Sequence, residues 1–369
     1  MKVALIHDYL GEFGGAERVL LALSELYPAA PIYTAFWRPG AAWERFQDKD
    51  VHVSWAHYVP AFSTRLHSPL RFLAPRIWGS FDFSEYDVVI SSASWYITKG
   101  FGSRGTKRKK PIEICYCHTP PRWLYGYPTS VEWQRWRLVR AYATLVGFFM
   151  RQYDYAAAQR VNYFIANSQN TARRIQKFYR RDSTVIYPPI DIPNVSAVKK
   201  DNYYLTVSRI VGGKGLDLAV RAASSLGIRL KVVGAPSGYA SEQEKLLEVA
   251  GRTVEFLGPV TDSELFRLYT GAKAFIASAT DEDFGMTPVE AMAAGTPVIA
   301  FRGGGYKESV VEGKTGIFFH APTVPSIISA IKQFNTMKFL EKDCRQQAEK
   351  FSKRRFQQHM RAFVDRVAV

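Results

Sequence analysis

Two glutamates, Glu282 and Glu290, stand in DEDFGMTPVEAMAAG at residues 281–295, and two cations, Arg209 and Lys214, stand in SRIVGGKG at 208–215. Carboxylates with this separation can hold different hydroxyl groups of one extended ligand. Fixed cations on a glycine-rich loop can stabilise the charge that develops on a departing diphosphate, although the same residues would also make a solvated basic turn. In the first segment Thr287 reads as an N-cap, Pro288 as the first helical residue and Gly295 as the stop after Ala294. Glu290 would then sit where it can close a capping box with Thr287, or serve a ligand from one turn inside the helix. Phe284, Gly285, Met286 and Thr287 would present backbone N–H groups at the helix mouth, a setting suited to an anion.

Two further segments lie in the other half of the chain. GEFGGAERV at 11–19 follows an apolar run and opens a helical pattern. Gly14 and Gly15 let the backbone approach a phosphate, although a Gly-Gly pair serves any tight strand-to-helix turn, and the spacing is not that of the dinucleotide fingerprint. His118, in CYCHTPPRWLY, falls where a strand should end and can donate to a sugar hydroxyl or a phosphate; a surface histidine beside a Pro-Pro turn is the alternative. Arg122, Trp123 and Tyr125 beside it add a charge and flat faces suited to a sugar acceptor.

The elements that must position these residues alternate. Apolar runs at Lys2–Ile6, Ile32–Phe36, Val88–Ser91, Ile112–Cys117 and Tyr163–Ala166 read as buried strands, with helical spacing at Ala16–Tyr27 and Ser130–Ala158. The pattern restarts with Tyr203–Ser208, Arg229–Val233, Val254–Leu257, Ala274–Ser278, Pro297–Phe301 and Gly316–Phe319. Such alternation predicts α/β architecture with parallel sheets covered on both faces. The proline-rich stretch 185–202 reads as a linker, giving domains at 1–190 and 191–350 and a C-terminal helix at 351–369. All four chemical segments follow predicted strands, the carboxyl ends where open parallel sheets bind ligands.

Composition narrows the function classes. The 369 residues are 47% hydrophobic and 22% charged, enough for two globular domains. Cys115, Cys117 and Cys344 lack the spacing of a zinc site or a disulfide framework, which implies a reducing, cytoplasmic compartment. The first apolar run ends at His7-Asp8, too short for a signal peptide, and Ala141–Met150 is bracketed by arginines and too short to span a bilayer. The net charge of +16 is uneven: residues 1–190 carry 25 basic and 14 acidic groups, or +11, leaving +5 for the rest. The basic half, with Trp133, Arg135, Trp136, Arg137, Arg140 and Arg151 around apolar residues and a second cluster at Thr106–Lys110, suits the anionic inner face of a cell membrane. The same stretch also reads as an ordinary core-packing helix. Nucleic acid is set aside as a partner, because no reading module is recognised and the two glutamates would go unexplained.

Taken together, the Glu282–Glu290 pair in E-x7-E spacing, SRIVGGKG, GGAERV and GGGYKESVVEGKTGIFF at 303–319 resemble glycosyltransferase family 4, the retaining transferases of GT-B fold. The resemblance implies two Rossmann-like domains facing each other across a cleft, the first binding acceptor and the second the nucleotide sugar, with the C-terminal helix crossing back to the first. It implies that Glu290 accepts hydrogen bonds from the donor ribose, that Glu282 binds hydroxyls of the transferred sugar, and that Arg209 and Lys214 bind the diphosphate with the backbone at Gly14 and Gly15. His118 would contact the sugar or its phosphate, and the base would lie near Val260. Metal-independent transfer is expected, with no cofactor beyond the donor. YPPID with CHTPPRWLY most resembles a mannosyltransferase branch that uses GDP-mannose for surface polysaccharide or glycolipid assembly; a UDP-sugar transferase, a nucleotide-sugar epimerase of the same fold and a silent donor-binding partner are the alternatives.

Overall fold

The computed structural model describes residues 1–102, 110–129, 136–192, 200–235 and 241–368. The chain forms two compact units, one of Met1–Tyr127, Trp133–Pro189 and Arg354–Val369, the other of Ile190–Lys353 with Pro128–Glu132.

The first unit is built on seven parallel strands: β1 Val3–His7, β2 Ile32–Thr34, β3 Val51–Val53, β4 Val88–Ala93, β5 Ile112–Cys117, β6 Tyr163–Ala166 and β7 Thr184–Val185, in the order β3-β2-β1-β4-β5-β6-β7. All of β1 and β4 is buried, the near-continuous apolar reading expected of strands covered on both faces. One acidic side chain enters this core. Glu113 on β5 is fully buried, and its carboxylate accepts from Ser91 Oγ and from the backbone N–H groups of Gly100, Phe101 and Gly102. Burial raises its pKa above the usual carboxylate range, partly offset by these bonds.

The C-terminal helix, Lys353–Val367, completes the first unit. Phe356, Met360, Phe363 and Val364 recur at helical spacing and are buried in one cluster with Leu5, Ile32, Tyr116 and Ile186. Each such side chain contributes about 1.5–3 kcal/mol on burial.

The second unit repeats the plan with six parallel strands: β8 Tyr204–Val207, β9 Leu230–Val233, β10 Val254–Gly258, β11 Ala274–Ala277, β12 Val298–Phe301 and β13 Gly316–Phe319, ordered β10-β9-β8-β11-β12-β13. Both sheets therefore reverse their strand order beside their first strand, between β1 and β4 and between β8 and β11. That reversal opens a crevice at the carboxyl ends of the strands, where ligands collect.

The observed elements shift several predicted boundaries. The helix expected over Ser130–Ala158 runs Arg137–Arg160, and residues 130–135 lie outside the described residues. Trp133, Arg135 and most of the Thr106–Lys110 cluster also fall outside them. Strands β3 and β7 were not expected; β7 places Val185, read as the start of the linker, in the first sheet beside β6.

Candidate functional site

In the second unit, SRIVGGKG leaves β8 and opens the helix Leu216–Leu226, with Gly215 as its N-cap at φ +64. A Cβ there would meet the Ser278 carbonyl oxygen at 2.4 Å, so the position needs glycine for conformation and for space. The loop is tied to the end of β11 by Ser278 Oγ, which donates to the Lys214 carbonyl at 3.1 Å. Arg209 is exposed, whereas Lys214 is half-buried and donates to Glu282 Oε2 at 2.8 Å. The expected diphosphate cation and the expected sugar-binding carboxylate are thus brought together as an ion pair.

The 281–295 segment differs from the expected capping arrangement. Its helix is Met286–Ala293, and its N-cap is Gly285 at φ +86, with no side-chain cap. Thr287 therefore lies inside the first turn, and the Thr287–Glu290 capping box does not form. Pro288 is tolerated because the first four N–H groups of a helix have no intrahelical partner. The early start follows from tertiary packing: a Cβ on Gly285 would stand 2.5 Å from the Tyr306 ring, and one on Gly305 2.3 Å from Phe284 Cα. Gly305 N–H donates to the Glu282 carbonyl at 3.0 Å, pinning the loop that carries the carboxylate. Tyr306 is buried, and burial with the nearby Glu282 charge raises its phenol pKa well above 10.0, so it stays neutral.

Glu290 is held by a residue that sequence reasoning missed. Tyr269, on the helix Asp262–Gly271, donates its hydroxyl to Glu290 Oε2 at 2.8 Å. The sequence offers only helical spacing in DSELFRLY at 262–269, which follows the turn at Val260. Val260 is half-buried in that turn, beyond the end of β10. Phe284 is buried against Phe351, with ring centroids 5.3 Å apart.

In the first unit, Gly14 and Gly15 follow β1, and Gly14 is the N-cap of the helix Gly15–Leu26. Glu17 reaches back to accept from Gly14 N–H at 2.9 Å. His118, at the end of β5, is buried rather than at a surface turn, and its Nε2 lies 2.8 Å from Ser92 Oγ. Burial, then the neighbouring His7, lowers its pKa to about 4, against the opposing influence of Asp8 and Glu17. The imidazole is neutral at pH 7.

The three residues expected to meet an acceptor have partners within the unit. Trp123 Nε1 donates to the Trp95 carbonyl at 3.1 Å, and Arg71 lies over both indole rings. Tyr125 stacks on Phe178 and donates to Asp154 at 2.7 Å, which pairs with the buried Lys99. Arg122 is half-buried and also engaged. Trp123 and Tyr125 are thereby anchored to the rest of the first unit.

Two family profiles together account for nearly the whole chain. The Glycosyltransferase Family 4 profile matches residues 13–193, and Glycosyl transferases group 1 matches 190–351. The chain belongs to glycosyltransferase family 4. The chain is 25% identical to an alpha-1,3/1,6-mannosyltransferase of Dictyostelium discoideum over an alignment of 434 residues, covering 100% of this chain and 98% of that protein. It is 31% identical over 176 residues to the D-inositol 3-phosphate glycosyltransferase of Mycobacteroides abscessus, a match spanning 42% of this chain and only 40% of that enzyme. Among solved structures, the sucrose-phosphate synthase of Thermosynechococcus elongatus superposes with a TM-score of 0.74 at 18% identity, covering 100% of this chain and 99% of that one. Anabaena HepE in complex with UDP-glucose gives 0.71 at 17%, covering 99% and 100%. The fold is GT-B.

Proposed function

We propose that this glycosyltransferase moves a hexose, mannose from GDP-mannose, to a glycan or lipid-linked acceptor with retention of anomeric configuration. The observation that carries the reading is the second unit's own ion pair of Lys214 with Glu282 at 2.8 Å, with Arg209 and Glu290 on the segments that follow β8 and β11. The full-length likeness to a mannosyltransferase supports mannose as the sugar.

In this reading Glu290, oriented by Tyr269, accepts from the ribose hydroxyls. Glu282 binds hydroxyls of the hexose, and Lys214 exchanges part of its ion pair for the diphosphate. Gly14–Gly15 and His118 serve the phosphate and the sugar. The acceptor hydroxyl attacks the anomeric carbon on the face from which the diphosphate leaves. The bond from that carbon to the phosphate oxygen breaks as the new glycosidic bond forms, and the hydroxyl proton passes to the departing phosphate. Arg209 and Lys214 supply the charge stabilisation, so the reaction proceeds without metal.

The acceptor side suits an anionic membrane. The helix Arg137–Arg160 exposes Leu138, Tyr142, Leu145 and Phe149 along one stripe, with Phe148 beside it and exposed Arg137 and Arg140 on the same half. Leu138 is 87% exposed and Leu145 63%, values that leave apolar surface for a lipid interface. No described helix is long and apolar enough to cross a membrane, so the contact would be peripheral, with the arginines meeting anionic headgroups.

Transfer from labelled GDP-mannose and from UDP-sugars, with and without EDTA, tests the reading, the anomer of the product being read by NMR. Transfer of mannose with retention in EDTA supports it. Preference for a UDP-sugar discards GDP-mannose, inversion discards the retaining mechanism, and loss of activity in EDTA discards metal independence. Flotation with vesicles rich in anionic lipid, lost in Leu145→Glu/Phe149→Glu, supports the membrane face; equal flotation with neutral vesicles contradicts it.

A further inference from the structure

A chain of polar side chains leads to His118 through the core of the first unit. Glu17 Oε1 lies 3.5 Å from His7 Nε2, His7 Nδ1 lies 3.0 Å from Ser92 Oγ, and Ser92 Oγ lies 2.8 Å from His118 Nε2. His7 and Ser92 are almost fully buried, at 2% and 1% exposure. The residues come from β1, β4, the end of β5 and the helix after the Gly14–Gly15 loop.

Proton counting gives the chain a direction. A carboxylate only accepts, so with one proton on the His7 ring Glu17 favours it on Nε2. His7 Nδ1 is then bare and accepts the single hydroxyl proton of Ser92. Ser92 Oγ, having given that proton, must accept from His118, whose proton therefore sits on Nε2. The opposite sense would require a doubly protonated His7 donating to Ser92, with Ser92 donating to His118.

We infer that Glu17, His7 and Ser92 are positioning residues that hold His118 in its Nε2–H tautomer, presenting a bare Nδ1 as an acceptor for a ligand hydroxyl. The identity of that ligand as a sugar rests on the transferase reading; the tautomer does not. His118 thereby takes a hydrogen bond from a hydroxyl instead of giving one to a phosphate oxygen. The Gly14 loop joins the same device, because the second oxygen of Glu17 accepts from Gly14 N–H.

The groups around the imidazole fit this assignment. Asp8 is committed to Ser94, Trp95 and Thr98. Tyr116 offers its ring, 5.2 Å from that of His118, while Thr171 Oγ1 donates to the His118 carbonyl at 3.2 Å. His118, with a pKa of about 4, remains neutral at and above pH 5.

Long-range proton–nitrogen correlation spectra of the full chain labelled with 15N-histidine test the inference without any donor, His118→Gln identifying the signals. The expected result at pH 7 is a protonated Nε2 and a bare Nδ1 for His118, and a mixture of tautomers in Ser92→Ala that Ser92→Thr restores. A protonated Nδ1 in the wild type overturns the inference, as does a Ser92→Ala spectrum unchanged from it. In transfer assays Ser92→Ala should lower kcat about tenfold, with less change in the KM for donor; an unchanged kcat alongside an altered tautomer would overturn the ligand-facing role. A chain that shows the tautomer but no transfer would break the transferase reading alone.

Discussion

The two units carry chemically opposite sites on nearly the same sheet. Beyond β5 of the first, His118 is desolvated, neutral and held by buried hydroxyl and imidazole groups. Beyond β8 and β11 of the second, Lys214 and Glu282 form an ion pair at 2.8 Å that is partly open to solvent. Burial keeps His118 neutral, and in the inference above the hydrogen bond to Ser92 fixes which ring nitrogen carries its proton. The second site's pair is only partly buried, Lys214 at 29% and Glu282 at 21% exposure, and in the proposed reading it exchanges with an anionic ligand. The strand plan is shared, so the difference lies in the side chains: the first site draws on His7 of β1 and Ser92 of β4 beside the end of β5, the second on the loops after β8 and β11.

The sharpest way to break the comparison is to remove a charge from the second site. Lys214→Ala should lower kcat roughly 100- to 1,000-fold if it stabilises the leaving diphosphate, as measured by initial rates of transfer. A loss of only a few-fold would make that site a solvated turn. Glu290→Gln should weaken nucleotide binding by about 1.5–3 kcal/mol, the range for a hydrogen bond to a charged group. Unchanged affinity in calorimetry would confine Glu290 to its bond with Tyr269.

The first site should instead speak through pH. His118 titrates at about 4 in the folded chain, below its ordinary 6.5. Between these values the unfolded chain binds the proton and the folded chain does not. Stability is therefore present above the unfolded value and is lost as pH falls from 7 to 5, by about 1–2 kcal/mol from this residue. Urea titrations at both pH values should show a smaller pH dependence in His118→Gln; an equal dependence would contradict the low pKa. The smallest effect is expected on the stability contributed by the half-buried Lys214–Glu282 pair. Lys214 and Glu282 are 29% and 21% exposed, so Lys214→Ala should change folding stability by less than about 1 kcal/mol. A larger loss would make that pair a structural element.

Much of this was legible in the sequence where the signal is local. The central strands announce themselves because β1, β4, β5 and β11 are covered on both faces and so are written in apolar residues. The glycine loops and the two glutamates were visible as types at fixed spacing. What escaped depends on distant partners. Strand β7 has two residues and exists by pairing with β6. The helix at 286 starts two residues early because Gly285, packed against Tyr306, turns the chain with a positive φ that no side-chain cap announces. The bond from Tyr269 to Glu290 spans 21 positions, and those joining His7, Ser92 and His118 span 85 and 26. No periodicity encodes such separations; only the parallel order of β1, β4 and β5 brings those residues side by side.

The most direct test of the account is calorimetric binding of GDP, UDP and ADP, in EDTA, to the full chain and to Glu290→Ala. The account predicts that GDP binds in preference to the others and that the substitution abolishes or greatly weakens the binding. Failure of all three nucleotides to bind the wild-type chain would contradict the claim that the charged loops of the second unit hold a nucleotide-sugar donor.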